Sequence, residues 1–339
     1  MPAANEIVAS SASKRFALGQ FRLGPQDSPV FLGLVRGETV RDLSDIAPLR
    51  DRVSGPVTMS SVLEAWDACL PVLADLDGGD LPVGSLTVLA PVQPRQILQA
   101  GMNYRTHVID LAAAHHDGAG GRSVEQVRAD AAAMMDERTR TGLPFLFTGH
   151  ATALAGPYDD LVLPGYSDQH DWELELAVVI GRRAFRVDRA AAMDHVAGYT
   201  IVNDVTTRDL VFRGEPRGGM DWFRAKNAPG FLPLGPYLVP ARFIDDPMDL
   251  RLTLSLNGDV MQDGSTKDML FDIATQITTA AQITPLLPGD LLLTGSPAGN
   301  GMHHGRLLRA GDVMTATITG LGEQRVRCVD EAGTTTERA

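Results

Sequence analysis

The stretch DWELELAVVIG, residues 171–181, has the two-residue alternation of a β-strand. The side chains that share its apolar face, and that we expect in the core, are Trp172, Leu174, Leu176 and Val178. The opposite face begins with Glu173 and Glu175 and then becomes apolar. Two like charges on a half-buried face repel each other, and removing them from water is unfavourable.

Two interpretations explain this pair of carboxylates. The strand end emerges into solvent, which is preferred for an isolated Glu-x-Glu, or the pair binds a divalent cation. Asp204 is the candidate third ligand, because it ends the predicted strand GYTIVND, although on spacing alone a capping or turn aspartate is preferred. Three carboxylates without Cys or His suit Mg²⁺, Mn²⁺ or Ca²⁺.

The composition is that of an acidic globular protein. Hydrophobic residues make up 44% and charged residues 21% of the 339 residues, which argues against wholesale disorder. The formal net charge of −12 argues against a surface for nucleic acid or an anionic membrane. An anionic substrate would therefore need a local positive site or a metal ion.

Three features predict a cytoplasmic protein. Cys69 and Cys328 are too few and too far apart in sequence to suggest a disulfide framework or a cysteine metal site, which fits a reducing compartment. No apolar run approaches the length of a membrane span. The N-terminal residues MPAANEIVASSASK lack the hydrophobic segment of a secretory signal.

The order of the predicted elements indicates an α+β, β-rich fold. Strands outnumber helices and do not alternate regularly with them, which argues against a doubly wound sheet. A Gly-, Pro- and Asp-rich passage at 75–85 separates a small N-terminal α+β domain, residues 1–90, from a larger catalytic domain, residues 91–335.

Capping residues and apolar periodicity predict several helices. Ser123 and Gln126 form the expected capping box of one. Asp188 and Asp268 are the expected N-caps of two others.

Six segments, in chain order, resemble those of the fumarylacetoacetate hydrolase family. They are LPFLF, DWELELAVVIG, AGYTIVNDVTTRDL, GFLPLGPYLV, LNGDVMQDGSTKDMLF and PGDLLLTGSPAGNG, and they cover roughly residues 96–331. The resemblance implies a mixed β-roll or β-sandwich catalytic domain with Glu173, Glu175 and Asp204 as metal ligands. The family's cation, usually Mg²⁺ or Mn²⁺ and sometimes Ca²⁺, chelates two oxygens of a 1,3-dicarbonyl or 2-oxo acid.

The resemblance also implies roles for three polar residues outside the metal site. Lys226 falls where the family has a lysine beside the substrate oxygens, and only three of the 30 basic residues are lysines; a solvated surface lysine is the alternative. Arg208 is a second candidate for substrate binding, with an ion pair to Asp209 or Asp204 as the alternative. Ser296 matches the family's small hydroxyl residue near the substrate.

A candidate general base lies in NYRTHVIDL. His107 and Asp110 are three residues apart, so on a helical turn they share a face, and the carboxylate could orient the imidazole. The resemblance supports His107, but the family has Glu where this chain has Asp110, which is one methylene shorter. We expect Tyr104 to line the same pocket.

Residues 117–142 form an insertion ahead of LPFLF. We interpret it as an enlarged lid over the substrate, with a passive surface insertion as the alternative. The histidine pairs at 115–116 and 303–304 are expected to be surface residues.

These features predict a metal-dependent hydrolase that cleaves a carbon–carbon bond in an acylpyruvate-like or β-diketo acid. The cation would hold the dioxo group, the His107–Asp110 pair would activate water, and Lys226 would stabilise negative charge. The enzymatic alternatives are a hydratase, an isomerase or tautomerase, and an oxaloacetate-type decarboxylase. The non-enzymatic alternative is an ion-stabilised β protein used in assembly. We expect a homodimer with a small oxo acid substrate, and neither nucleic acid nor membrane as a partner.

Overall fold

The N-terminal region forms an antiparallel sheet with three helices. The computed structural model of the protein describes residues 15–114, 116, 121–215 and 218–331. The first strands are β1 (Ala17–Arg22), β2 (Val30–Arg36), β3 (Thr39–Asp42), β4 (Leu81–Pro82) and β5 (Thr87–Leu89). The helices between them are α1 (Ala47–Arg50), α2 (Met59–Glu64) and α3 (Trp66–Asp75). The strand order is β4-β3-β2-β1-β5.

Most of the remaining chain is also β-structure. The next strands are β6 (Ile97–Gly101), β7 (Phe145–Gly149), β8 (Leu154–Ala155), β9 (Leu161–Leu163), β10 (His170–Asp171), β11 (Leu174–Ile180), β12 (Val196–Asn203) and β13 (Thr206–Thr207). The last strands are β14 (Leu232–Pro233), β15 (Val239–Pro240), β16 (Arg251–Leu256), β17 (Asp259–Ser265), β18 (Leu291–Leu293), β19 (Val313–Ile318) and β20 (Gly322–Asp330). The helices are α4 (Arg105–Ala114), α5 (Val124–Thr141), α6 (Trp222–Lys226), α7 (Ile273–Ile283) and α8 (Gly301–His304).

A six-stranded mixed sheet carries the candidate site. Its order is β15-β12-β11-β18-β6-β7; β18 and β6 are parallel and the other neighbours are antiparallel. A second sheet has the order β17-β16-β19-β20-β9. The α+β, β-rich class predicted from the sequence is therefore confirmed.

Strand β11 is buried at every position, so both of its faces pack against other elements. Leu174, Leu176 and Val178 lie in the larger core cluster, as their alternation predicted. Ala177 and Val179, on the opposite face, lie in a second cluster that also contains apolar residues of β1 and β2. The N-terminal sheet and the six-stranded sheet thus share a core, and the domain boundary at residue 90 stays a prediction.

Two of the predicted helix caps are wrong. Asp188 is followed by the short 3₁₀ turn Ala192–His195 rather than an α-helix, because the chain enters β12 directly afterwards. Helix α7 begins with Asp272 as its N-cap. Asp268 instead accepts a hydrogen bond from the amide of Thr106 at 2.9 Å, so it provides a partner for a backbone amide in the first turn of α4.

The described part of the insertion is helix α5, which packs on α4. Its capping box of Ser123 and Gln126 is confirmed. The side chain of Arg138 donates to the carbonyl of Met102 at 2.6 Å and so fixes α5 beside the end of β6. Residues 115 and 117–120 lie outside the described residues, and the lid role stays a prediction.

Both cysteines, Cys69 and Cys328, are buried free thiols. His303 and His304 are exposed, as expected. Within the described ranges, no helix combines the length and the apolar composition needed to cross a membrane.

Candidate metal and substrate site

Glu173, Glu175 and Asp204 lie together in one buried cluster, which we call the acidic triad. One carboxylate oxygen from each lies within 4.8 Å of the others. Antiparallel pairing of β11 with β12 creates the cluster, because the amide of Asp204 donates to the carbonyl of Glu173 at 2.8 Å. Three buried oxygen donors without His or Cys could hold a hard divalent cation.

Two hydrogen bonds fix carboxylates of the triad. The amide of Gly295 donates to Glu175 at 2.7 Å, and the side-chain amide of Gln99 donates to Asp204 at 2.7 Å. Gly295 has a φ of +95°, and an added Cβ would lie 3.0 Å from the Cβ of Asn103. A glycine is therefore needed for this backbone amide to reach Glu175. Sequence reasoning missed Gln99, since only strand pairing brings β6 to the site.

Lys226 is buried against the triad. Its side chain is 3% exposed, so it is not a solvated surface lysine. Its ammonium donates to Glu173 at 2.7 Å and also to Asp204. Burial would lower the pKa of Lys226, but the charges of Asp204 and Glu173 outweigh burial and raise it. The lysine is therefore cationic at neutral pH.

Arg208 connects the triad to Asp171, a residue that sequence reasoning missed. Its guanidinium lies 2.7 Å from Glu173 and 2.7 Å from Asp171, rather than pairing with Asp209 as one alternative expected. Asp171 is fully buried and accepts a hydrogen bond from the amide of Gly301 at 2.5 Å. A signal for Asp171 was available, because two-residue alternation puts it on the same strand face as the triad glutamates.

Burial and neighbouring charges move the three triad pKa values apart. Burial would raise the pKa of Glu173, but Lys226 and Arg208 outweigh it and hold that pKa well below its usual range. Burial, with the charge of Asp204, raises the pKa of Glu175 well above its usual value. Burial raises the pKa of Asp204 to about 6 despite Lys226. A divalent cation would relieve this crowding of like charges.

His107 lines the same cavity as the triad. Burial lowers its pKa to about 4, so the imidazole is neutral at neutral pH. Asp110, one turn further along α4, is engaged by Arg128 of α5 at 2.7 Å. Among the described residues, no hydrogen bond joins His107 to Asp110. The catalytic pair stays a prediction, and Arg128 is a competing partner for its carboxylate.

Ser296 and Tyr104 occupy different environments. Ser296 lines the cavity, and its hydroxyl accepts a hydrogen bond from the side-chain amide of Gln262 at 3.0 Å. Tyr104 is fully buried and is not among the described lining residues of the cavity, and its expected place in the substrate pocket stays a prediction.

Two aromatic rings, Phe147 from β7 and Trp222 from α6, also line the cavity, and we call them the aromatic wall. Their centroids lie 4.9 Å apart with an interplanar angle of 17°, so the rings are stacked. The ammonium of Lys226 lies 5.8 Å from the centroid of Phe147 and 5.7 Å from that of Trp222. Sequence reasoning assigned no role to either ring, although Phe147 belongs to the segment LPFLF.

The comparison with known families agrees with this architecture. A family model described as the C-terminal domain of fumarylacetoacetate (FAA) hydrolase matches residues 96–329, most of the chain. The chain belongs to the fumarylacetoacetate hydrolase family. The resemblance noted from six sequence segments is therefore confirmed, and so is an enzymatic family.

Relatives of this fumarylacetoacetate hydrolase family member carry several activities in their names. A mitochondrial oxaloacetate tautomerase of Bos taurus is 35% identical over 318 residues, which cover 91% of this chain and 90% of the relative. A fumarylacetoacetate hydrolase of Exiguobacterium antarcticum has a structure that matches with a TM-score of 0.70 at 27% identity, over 93% of this chain and 100% of that one. For a maleylpyruvate hydrolase of a Sphingobium species, the TM-score is 0.67 at 26% identity, with coverage of 93% and 100%.

The expected cytoplasmic location is wrong by this comparison, since the Bos taurus relative is named as mitochondrial. The lack of a hydrophobic segment argued only against a secretory signal, and it does not separate cytoplasmic from mitochondrial proteins.

Proposed function

We propose that this family member uses Mg²⁺ or Mn²⁺ to interconvert the keto and enol forms of a 2-oxo acid. The observation that carries the proposal is the acidic triad, buried in one cavity with the neutral imidazole of His107 and the cationic Lys226. The relative named as an oxaloacetate tautomerase supports it.

The donor set fits a hard divalent cation. All three candidate ligands are carboxylates, and burial, with the charge of neighbouring carboxylates, raises the pKa of Glu175 and Asp204. When bound, the cation would supply positive charge beside the oxygens of a 2-oxo acid, which favours loss of a proton from the neighbouring carbon.

The side chains around the triad would move the proton and stabilise charge. A ring nitrogen of His107, neutral above its lowered pKa of about 4, accepts the proton from the substrate carbon and returns it to the substrate oxygen. The ammonium of Lys226 donates a hydrogen bond to the oxygen that gains negative charge. Arg208 holds Glu173 in place through its 2.7 Å contact. Burial of the triad, His107 and Lys226 limits their contact with bulk water and strengthens their electrostatic interactions.

Hydrolysis of an acylpyruvate is the second candidate. The position of His107 in the triad cavity, with Asp110 one turn away, favours it. The relative named as a maleylpyruvate hydrolase also supports it. Activation of water by the pair would require Asp110 to turn from Arg128 toward His107, and tautomerisation does not require that rearrangement.

The two candidates differ in what they require of Asp110. With Mg²⁺ present, we would follow tautomerisation of oxaloacetate and phenylpyruvate by enol absorbance, and cleavage of acetylpyruvate by pyruvate release. His107→Ala should slow tautomerisation about 10²–10⁴-fold, because it removes the base. Asp110→Asn should slow it less than about tenfold, because Arg128 already engages that carboxylate.

Asp110→Glu, which restores the family's residue, is the matched control, and calorimetry should show unchanged Mg²⁺ binding in all three variants. Rapid acetylpyruvate cleavage that Asp110→Asn abolishes, without tautomerisation, would establish the hydrolase and refute our proposal.

A further inference from the structure

The cavity around the acidic triad contains no unmatched positive charge among the described residues. Arg208 and Lys226 are the cationic side chains of its described lining. Arg208 pairs with Asp171 and Glu173 at 2.7 Å each, and Lys226 pairs with two carboxylates of the triad. The triad and Asp171 contribute four carboxylates, and Arg208 and Lys226 contribute two positive charges. One bound divalent cation would therefore bring the net charge of the site to zero.

This charge balance limits the number of carboxylates that a substrate can carry into the cavity. With the metal counted, the site is neutral before substrate binds, so the carboxylate of a 2-oxo acid already adds one uncompensated negative charge. A second carboxylate elsewhere on the substrate would be removed from water without a cationic partner in the described lining, which is strongly unfavourable.

A nearby guanidinium does not alter this balance. Arg138 of α5 donates to the carbonyl of Met102 at 2.6 Å, and its guanidinium lies 5.6 Å from the ring centroid of Phe271. Its hydrogen bond is directed at the backbone, and the side chain is not part of the described lining of the cavity.

The uncharged part of the lining is mainly apolar. The aromatic wall of Phe147 and Trp222 provides two stacked rings, and Ala100, Met102 and Leu111 lie around the same cavity. Stacked rings offer a flat apolar surface on which another ring can pack, by offset stacking or edge to face.

We propose that the aromatic wall binds the substituent on C3 of the 2-oxo acid and selects an apolar ring over a second carboxylate. The inference rests on the proposed function, since it assumes that the 2-oxo acid group binds at the triad. It departs from the substrate in the name of the Bos taurus relative, because oxaloacetate has a carboxylate on C3.

Phenylpyruvate and oxaloacetate test the inference directly, because both are pyruvates that differ only in the group on C3. We would measure kcat/KM for tautomerisation and, by calorimetry, affinity in the presence of Mg²⁺. Both should favour phenylpyruvate by at least about tenfold, which is within the range of hydrophobic discrimination in binding pockets. Equal values, or a preference for oxaloacetate, would overturn the inference.

Substitutions in the aromatic wall test which residues select the ring. Trp222→Ala and Phe147→Leu should each lower kcat/KM and affinity for phenylpyruvate about tenfold, and by a clearly larger factor than the values for oxaloacetate. Phe223→Ala is the matched control, because Phe223 is on the same helix but is 66% exposed and contacts His150 edge-on. Equal losses for both compounds would mean that the wall is only structural. If Trp222→Ala does not fold, the losses that Phe147→Leu causes for the two compounds test the inference.

Adding a cation to the cavity tests whether the missing positive charge causes the preference for phenylpyruvate over oxaloacetate. Met102 lines the cavity and is partly exposed, so Met102→Lys would add a cation at its edge. The ratio of affinities should shift toward oxaloacetate by several fold, and an unchanged ratio would refute the charge argument.

The calorimetric measurement separates this inference from the proposed reaction. If phenylpyruvate binds more tightly than oxaloacetate but neither is tautomerised, the selectivity stands and the proposed reaction fails. If both are tautomerised and oxaloacetate is preferred, the reaction stands and the selectivity fails.

Discussion

Single residues of the site differ in how their charge is compensated. Glu173 lies against two cations, and its pKa is lowered. Glu175 accepts a hydrogen bond from the amide of Gly295 but makes no ion pair within the described part of the chain, and its pKa is raised. The unequal environments mean that bound metal would stabilise ionised Glu175 more than ionised Glu173.

Glu175→Gln should weaken Mg²⁺ binding by about tenfold or more, because the amide removes one formal charge from an all-oxygen site. Isothermal titration calorimetry measures the change. Asp259→Asn, an exposed carboxylate in the β16–β17 hairpin, is the control and should bind Mg²⁺ as the unmodified protein does. Unchanged affinity in Glu175→Gln would contradict the assignment of the triad as the metal site.

The pH dependence of the reaction should reflect the buried imidazole. Since burial lowers the pKa of His107 to about 4, the neutral base predominates above that pH and is lost as the pH falls through it. At saturating Mg²⁺, the acid limb of log kcat/KM should therefore lie near pH 4 rather than near the ordinary histidine value of about 6.5. An acid limb near 6.5 that disappears in His107→Ala would show that His107 titrates normally.

At the scale of elements, an aspartate caps a helix only where the backbone that follows it is helical. Helix α7 begins at Asp272, whose carboxylate accepts a hydrogen bond from the amide of Thr275 at 2.8 Å. Asp188 and Asp268 have the same side chain, but neither caps an α-helix that follows it. The difference lies in the backbone after each residue, which continues as a helix only from Asp272.

Asp272→Ala should lower the free energy of unfolding by about 1–2 kcal/mol, because it removes an N-cap. Asp188→Ala, which alters an exposed residue without a capping role, should change it by less than about 0.5 kcal/mol. Chemical denaturation of both variants measures the difference. Equal losses of stability would show that the cap contributes nothing beyond a surface substitution.

At the scale of the whole molecule, the six-stranded sheet ends at β7, an edge strand. Large apolar side chains are exposed elsewhere in the described structure, among them Leu143, Phe212 and Phe223. Subunit interfaces commonly cover two kinds of surface: edge strands, whose outer backbone groups are unpaired, and exposed apolar side chains. The expected homodimer remains a prediction that these features support.

Light scattering coupled to size exclusion should give a mass about twice the 36.3 kDa of one chain. The mass should stay constant over micromolar protein concentrations if the interface is stable. A mass of one chain across that range would contradict the dimer.

Local sequence patterns determined much of this protein. The two-residue alternation of 171–181 was enough to predict a strand with one core face and two carboxylates on the other, because alternation is a property of the strand itself. The rarity of lysine drew attention to Lys226. Together with the family resemblance, these patterns predicted the fold class and the residues of the acidic triad.

Only the tertiary structure decided how those residues are partnered. Gln99 reaches Asp204 across 105 positions of sequence, and Phe147 stacks on Trp222 because β7 and α6 meet at the cavity. Asp110 shares a helical turn with His107, yet the docking of α5 gives it Arg128 as a partner. The physical reason is that alternation and capping depend on neighbours along the chain, whereas charge pairing and desolvation depend on which elements pack together.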